Sequence, residues 1–238
     1  MIILHHEELI FLKPRKVAGT SFEIALSTFA DKSSVITPID ARDEEIRSHL
    51  TGFKPQNFKF TPRDYVLGFR SWKSLVNRHD RMKFWNHIDA KNVKLRVGED
   101  VWNQYRKISV IRNPFDVMVS MYFWRVDEHH RSSISFEQFV ECRRDRIPLN
   151  KQLYEIDGEG VVDFMIRYED FDADLERLEG LVPGLRGLAS TFRGIRAKGH
   201  TRPASVRTVD MYEEAPRARA LIGELWHKEI MQYGFETP

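Results

Sequence analysis

Apolar and polar positions alternate along this chain in two rhythms. Short apolar runs rich in branched and aromatic residues read as strands at "LIFL" (Leu9–Leu12), "YVLGF" (Tyr65–Phe69), "KISVIR" (Lys107–Arg112) and "VDFMIRY" (Val162–Tyr168), with "SSVITPI" (Ser33–Ile39) as a candidate fifth. Helical spacing of apolar residues marks Ala18–Ala30, Asp89–Val97, Pro114–Val126, Phe136–Arg144, Asp170–Glu179 and Glu213–Tyr233. Strands alternating with helices predict an α/β fold with a central, mainly parallel sheet flanked by helices. Ligands of such sheets bind beyond the carboxyl ends of the strands, where strand order reverses. "KPQNFKFTPR" (Lys54–Arg63) and the basic "GIRAKGHTRPASVR" (Gly194–Arg207) read as loops.

Bulk composition narrows this picture without changing it. A chain of 238 residues can bury a substantial core, so a single domain over residues 1–238 is expected. A net charge of +2 is too small for a general nucleic-acid or membrane binder, so any anion must meet a local cluster. The single cysteine, Cys142, leaves no internal disulfide and fits a reducing compartment. "MIILHHEELIF" lacks the basic start and sustained apolar stretch of a signal peptide, and His5 and His6 read as a ragged terminus. No run approaches the roughly 20 apolar residues of a membrane span, so a cytoplasmic protein is the default.

Two segments carry candidate chemistry. In "LIFLKPRKVAGTSFEIAL" (Leu9–Leu26) a strand runs into a basic loop with Lys13, Arg15 and Lys16, and a helix then opens near Gly19, Thr20 and Ser21. Strand, loop and helix N-terminus together place N–H groups and a favourable dipole around an anion. The triphosphate loop G-x-x-x-x-G-K-[ST] does not fit, because Gly19 stands alone and the lysines precede it. A capped helix with surface lysines is the plain alternative.

In "KISVIRNPFDVMVSMYF" (Lys107–Phe123) Arg112 ends a strand, Asn113 can cap the next helix, Pro114 suits its first turn, and Ser120 follows about two turns in. An arginine at a strand's carboxyl edge suits a second phosphate through its planar fork. A structural Arg–carboxylate pair is the competing reading. "FMIRYED" imitates a metal-holding acidic strand end through Glu169 or Asp170, but both fit better as caps of the helix starting there.

Taken together, "PRKVAGTSFE" and, about ninety residues on, "VIRNPFDVMVSMY" resemble the sulfotransferases that use 3′-phosphoadenosine 5′-phosphosulfate (PAPS). That family's 5′-phosphosulfate loop reads roughly P-K-x-x-[GS]-[TS]-[ST] and its 3′-phosphate motif R-N/D-P-x-D/E-x-x-x-S. Arg112, Pro114, Asp116 and Ser120 fit the second motif throughout. The first motif's Pro-Lys pair is split into Pro14-Arg15-Lys16, and counting from Gly19-Thr20-Ser21 gives Lys16 the lysine's place. "FWNHIDAKNVKLRVGEDVWNQYRKISVIRNP", "IRYEDFDADLERL" and the closing "MYEEAPRARALIGELWHKEIMQYGFE" are similar to segments of the carbohydrate-sulfotransferase branch found in bacteria and the Golgi.

The resemblance implies a sulfotransferase fold related to the P-loop nucleotide triphosphatases. It also implies in-line attack by an acceptor hydroxyl on sulfur, with 3′,5′-ADP (PAP) leaving and no metal. It assigns charge neutralisation at the bridging oxygen to Lys16, and the 5′ side to Arg15, Lys16, Gly19, Thr20 and Ser21. Arg112 and Ser120 take the 3′-phosphate, and Lys198 and Arg202 come from a late segment that folds over the nucleotide. A histidine placed like His87 serves as base in the resembling branch. The bland alternative for His87 is a buried ring satisfied by a backbone carbonyl. His129 and His130 read as an exposed helix end.

The implied acceptor is a hydroxyl on a carbohydrate or glycolipid. Phe53, Phe58, Phe60, Trp72, Phe84 and Trp85 form either an aromatic acceptor wall or part of the core. Rival readings are a small-molecule kinase with a degenerate phosphate loop and a non-catalytic module binding an anionic nucleotide or RNA through the Arg193–Arg207 loop. That loop has no interleaved aromatics to stack bases.

Overall fold

The structure, a computed structural model, describes the chain apart from residues 63, 65–81, 132, 196–201 and 204, and apart from the side chains of residues 148 and 149. The expected strand Tyr65–Phe69, Trp72 and Lys198 lie outside the described residues.

A five-stranded sheet in the order β3-β1-β2-β4-β7 forms the centre, with β1 at Ile2–Leu4, β2 at Leu9–Phe11, β3 at Val35–Ile36, β4 at Arg106–Ile111 and β7 at Phe164–Arg167. A separate two-stranded ribbon pairs β5 (Glu155–Ile156) with β6 (Glu159–Gly160). The β2–β4 and β4–β7 pairs are parallel. β1 pairs antiparallel with both β2 and β3, so β3 runs in the direction of β2 and β1 alone is reversed. The α/β expectation therefore holds with a mixed sheet, and the reversed strand is the one the pattern did not reveal. Three residues are too few to show a periodicity. Their burial on both faces, not their local sequence, makes Ile2–Leu4 a strand.

Alternation along the strands then divides the core. Ile2, Leu4, Leu9, Phe11, Ile108 and Val110 face one layer, which includes Phe22, Leu26, Leu175 and Leu188. Met1, Ile3, Ile10 and Leu12 face the other, with Phe84, Ile88, Val93 and Trp102. Both faces are covered, which explains why these strands read as continuous apolar runs. His5 and His6 occupy the β1–β2 turn. His5 is no loose end, because its Nδ1 lies 2.8 Å from the Tyr105 hydroxyl.

Helix α1 spans Gly19–Ser27, inside the expected range. Asp89 caps Ala90–Val97 by accepting from Asn92 N, and Asn113 caps Pro114–Arg125 by accepting from Phe115 N, both as the capping pattern predicts. The long C-terminal helix does not form as one piece. The expected Glu213–Tyr233 is divided into Pro216–Leu225 and His227–Tyr233, behind a separate helix at Thr208–Glu213, and Pro216 opens its own helix because proline cannot continue a preceding one.

The chain leaves β2 through α1 toward β3 on one side of the sheet, whereas β4 leads to β7 on the other. The carboxyl ends of β2 and β4 thus flank the point where the connections diverge.

Candidate functional site

At that point the two basic segments meet. Leu12 N donates to Ile108 O at 2.9 Å and Ser109 Oγ to Leu12 O at 2.8 Å, which fixes the start of the loop against β4. Beyond these ties, the Arg112 Nη1 donates to the Lys16 carbonyl at 2.8 Å. A cavity of about 310 Å³ opens there, lined by Arg15, Lys16, Gly19, Thr20, Ser21, His87, Arg112, Ser120 and Arg202 among others. Every expected site residue within the described part of the chain contributes to this one wall. Lys198 lies outside the described residues.

Loop geometry follows from a few constraints. Lys16 and Ala18 hold φ of 65° and 57°, in the left-handed region that non-glycine residues seldom visit. Such conformations persist only where the surroundings hold them. The Ala18 turn directs the chain into α1, where the N–H groups of Gly19 and Thr20 find no acceptor inside the helix and give its positive end. Packing at Gly19 is tight: a Cβ there would stand 3.0 Å from Lys13 Cγ, so a larger residue requires the buried Lys13 side chain to shift.

Lys13, one of the basic residues the sequence offers for an anion, is used otherwise. Its Nζ lies 2.7 Å from Glu23 Oε2, and both side chains are fully buried. Glu23 also meets Arg47 Nη2 at 3.1 Å and the Met1 amino group at 3.0 Å. Burial pushes the Glu23 carboxyl up, but Lys13, the amino group and Arg47 outweigh it and hold the acid down at about 2. Both Lys13 and Lys16 line the cavity, but the Lys13 ammonium is committed to Glu23, so Lys13 is a foundation of the loop. The Lys16 Nζ sits 5.2 Å from the centre of the Trp124 ring.

His87 makes the backbone contact of its plain reading and also lines the cavity. Its Nδ1 lies 2.9 Å from the Lys13 carbonyl, and an oxygen without a proton can only accept, so Nδ1 carries the hydrogen. Nε2 is then the bare nitrogen of a residue that lines the cavity. Burial first, and the Lys13 charge second, lower the imidazole pKa to about 3. The ring is neutral and able to accept a proton across the physiological range. Its φ of 57° adds a third strained residue to the same wall.

The Arg112 side is a network. Its guanidinium stacks 4.0 Å from the centre of the Tyr168 ring and pairs with Asp116. Asp116 also accepts from Arg202 and Thr208, and Arg202 donates to Val206 O. Burial raises the Asp116 acid, but Arg112, Thr208 and Arg202 together bring it below the ordinary value. Arg112 Nε is buried with no hydrogen-bond partner among the described residues. A buried donor without an acceptor is costly, and an oxyanion at this wall would satisfy it. The residues fit a second phosphate.

Sequence reading missed Trp124, Tyr168 and the bridging role of Asp116. A signal existed for two of them: Trp124 stands one helical turn after Ser120, and Tyr168 leaves β7 as Arg112 leaves β4. The acidic caps also need correction. Asp170 occupies the cap position but makes no side-chain cap bond, and Glu169 Oε1 accepts instead from Asn113 N at 2.9 Å.

None of the described members of the aromatic set lines the cavity. Phe84 is core, and Phe53, Phe58 and Trp85 pack against it. In the basic loop region, Arg193 pairs with Asp172 and Glu176, Arg202 with Asp116, and Arg207 with Asp210. Among the described residues no group of three His, Cys, Asp or Glu side chains is placed to share a metal ion, and no helix is long and apolar enough to cross a membrane.

No protein-family model, curated protein or solved structure matches this chain.

Proposed function

We propose that the protein is a sulfotransferase that moves a sulfuryl group from PAPS to a hydroxyl of an acceptor, with a carbohydrate or glycolipid as the acceptor class. The observation that carries this reading is the contact between Arg112 and the Lys16 carbonyl. It joins two anion-binding segments, 96 residues apart, in one cavity that also holds a neutral histidine.

PAPS supplies a sulfur atom joined to the 5′-phosphate through a bridging oxygen. The acceptor oxygen forms a bond to sulfur while the bond from sulfur to the bridging oxygen breaks, leaving PAP. His87 Nε2 takes the proton of the attacking hydroxyl, and its Nδ1 hydrogen, held on the Lys13 carbonyl, keeps that nitrogen bare. Lys16 Nζ neutralises the charge that develops on the bridging oxygen, where a preorganised cation is most effective. The α1 N-terminus with Thr20 and Ser21 holds the 5′-phosphate, and Arg112, Ser120 and Arg202 hold the 3′-phosphate. Phosphoryl-transfer sites recruit Mg²⁺ for this electrostatic work, whereas here the side chain of Lys16 lines the cavity beside the α1 N-terminus.

The test is transfer of radiolabelled sulfur from PAPS to a panel of sugars, glycolipids and simple phenols in excess EDTA, beside ATP–Mg²⁺ with the same panel. Labelled product without metal supports the reading. Mg²⁺-dependent transfer of the terminal phosphoryl group of ATP would instead identify a small-molecule kinase.

A further inference from the structure

A second cavity, of about 210 Å³, adjoins the first, and Arg15 and Met121 belong to both walls. Its apolar part is built by Val117, Met118, Ile147 and Trp226. Four arginines complete it: Arg15, Arg125, Arg143 and Arg146. Asn150 Oδ1 accepts from Arg15 N at 2.9 Å, fixing the backbone of the partition between the cavities.

These four differ from the other arginines near the site. Arg112, Arg202, Arg193, Arg207 and Arg217 each face a carboxylate. Among the described residues Arg15, Arg125, Arg143 and Arg146 have no such partner, and no acidic side chain lines the cavity. Burial and mutual repulsion are both felt: burial and Arg125 lower the Arg15 pKa, and burial, Arg125 and Arg146 lower that of Arg143. Arg125 lies 4.4 Å from the centre of the Trp124 ring and Arg143 4.5 Å from that of Phe139, but a ring brings no counter-charge, and like charges gathered without one oppose folding.

An independent observation points the same way. Trp226 is 4% exposed, yet its indole Nε1 is buried with no acceptor among the described residues. The indole N–H can only donate, and a buried donor finds a partner in nearly all folded proteins. Unpaired guanidiniums and an unpaired N–H in one cavity require the same thing, an oxygen-rich anion. Beside them stands an apolar surface, so the anion's carrier is apolar too.

We propose that this cavity binds a carboxylate or sulfate carried on an apolar, ring-sized body, with Arg143, Arg146 and Trp226 Nε1 as its principal partners. On the sulfotransferase reading, on which this extension to the acceptor rests, the acceptor already bears an anionic group. That group anchors in the second cavity while the reacting hydroxyl crosses the Arg15 partition toward Lys16 and His87. The binding itself does not depend on that reading and is tested apart from it.

The probe is naphthalene-2-sulfonate, titrated calorimetrically into the protein with and without saturating PAP, beside neutral 2-naphthol. The sulfonate is expected to bind with PAP present and about tenfold or more tightly than the naphthol. The Arg143→Ala/Arg146→Ala double variant should weaken the sulfonate by a similar factor while leaving PAP affinity and the melting temperature unchanged. Trp226→Phe, which keeps the apolar bulk, should weaken it several-fold. Equal binding of the two naphthalenes, displacement of the sulfonate by PAP, indifference to the arginine variants, or no binding at millimolar concentration would each overturn the proposal. If PAP fails to bind while the sulfonate binds through Arg143 and Arg146, the donor reading falls and this site stands.

Discussion

Lys13 and His87 are joined by a single hydrogen bond: the ring Nδ1 lies 2.9 Å from the Lys13 carbonyl. The same lysine sends its ammonium the other way, to Glu23 Oε2 at 2.7 Å beneath α1. One residue thereby ties the tautomer of the candidate base to the buried charge that supports the loop ahead of α1. His87 has no freedom to bare the wrong nitrogen while that carbonyl stays in place.

Burial of the ring, with the Lys13 charge second, outweighs this bond and dictates a pH dependence. With its pKa lowered to about 3 against an ordinary value of 6.5, His87 is a neutral base in the free protein from about pH 4 upward. The profile of kcat/KM, which reports the free enzyme, should show no acid limb near pH 6.5. His87→Gln should reduce turnover by about 10²–10⁴-fold with PAP affinity nearly unchanged. A fall in kcat/KM centred near pH 6.5 and absent from His87→Gln would show that the ring is not held as described.

Lys16→Ala is expected to slow sulfuryl transfer by about 10²–10³-fold, equivalent to about 3–4 kcal/mol of transition-state stabilisation. PAP lacks the sulfuryl group and keeps the former bridging oxygen only as one of its 5′-phosphate oxygens, so its binding should fall far less than turnover. Rates under saturating PAPS, together with a PAP titration, separate the two effects. Normal turnover by the variant would remove Lys16 from the chemistry.

How much of this was legible in the residues themselves depends on where the information lies. Arg112, Asn113 and Pro114 follow a strand and start a helix, so their placement was local and readable. The turn at Lys16–Ala18 was readable as a loop but not as a strained one, because its left-handed residues are neither glycine nor asparagine. Lys13 and Lys16 look alike in sequence. Only Glu23, ten residues on and hidden in an apolar helix, marks Lys13 as the lysine with a buried counter-charge. β1 and the Arg143–Arg146–Trp226 cluster were invisible because they arise from contacts between distant segments.

Glu23 should be the most sensitive stability position near the site. Glu23→Gln removes the buried carboxylate that Lys13 and Arg47 share, although Arg47 keeps Glu44, at a cost of about 3–5 kcal/mol. For a chain of this size that lowers the melting temperature by roughly 10 °C. The carboxyl's pKa is depressed from 4.5 to about 2, so the unfolded chain binds more protons in that interval. The stabilisation is complete above about pH 4.5 and is lost as pH falls through about 2, and thermal melts across that window should show a steeper acid decline in the native protein than in the variant.

The central claim is that Arg112 and Ser120 read a 3′-phosphate, and thermal denaturation with two isomers of ADP tests it without any acceptor. Ligand at a hundred times its dissociation constant stabilises a fold by about 2.7 kcal/mol, or roughly 5–10 °C here. PAP should give a shift of that size, and 5′-ADP at the same concentration a much smaller one. Arg112→Ala should abolish most of the difference. Ser120→Ala, which removes only a hydroxyl and so tests the same site without disturbing the Asp116 network, should reduce it. Equal shifts with the two isomers in the native protein, or a larger shift with ATP–Mg²⁺ than with PAP, would contradict the account.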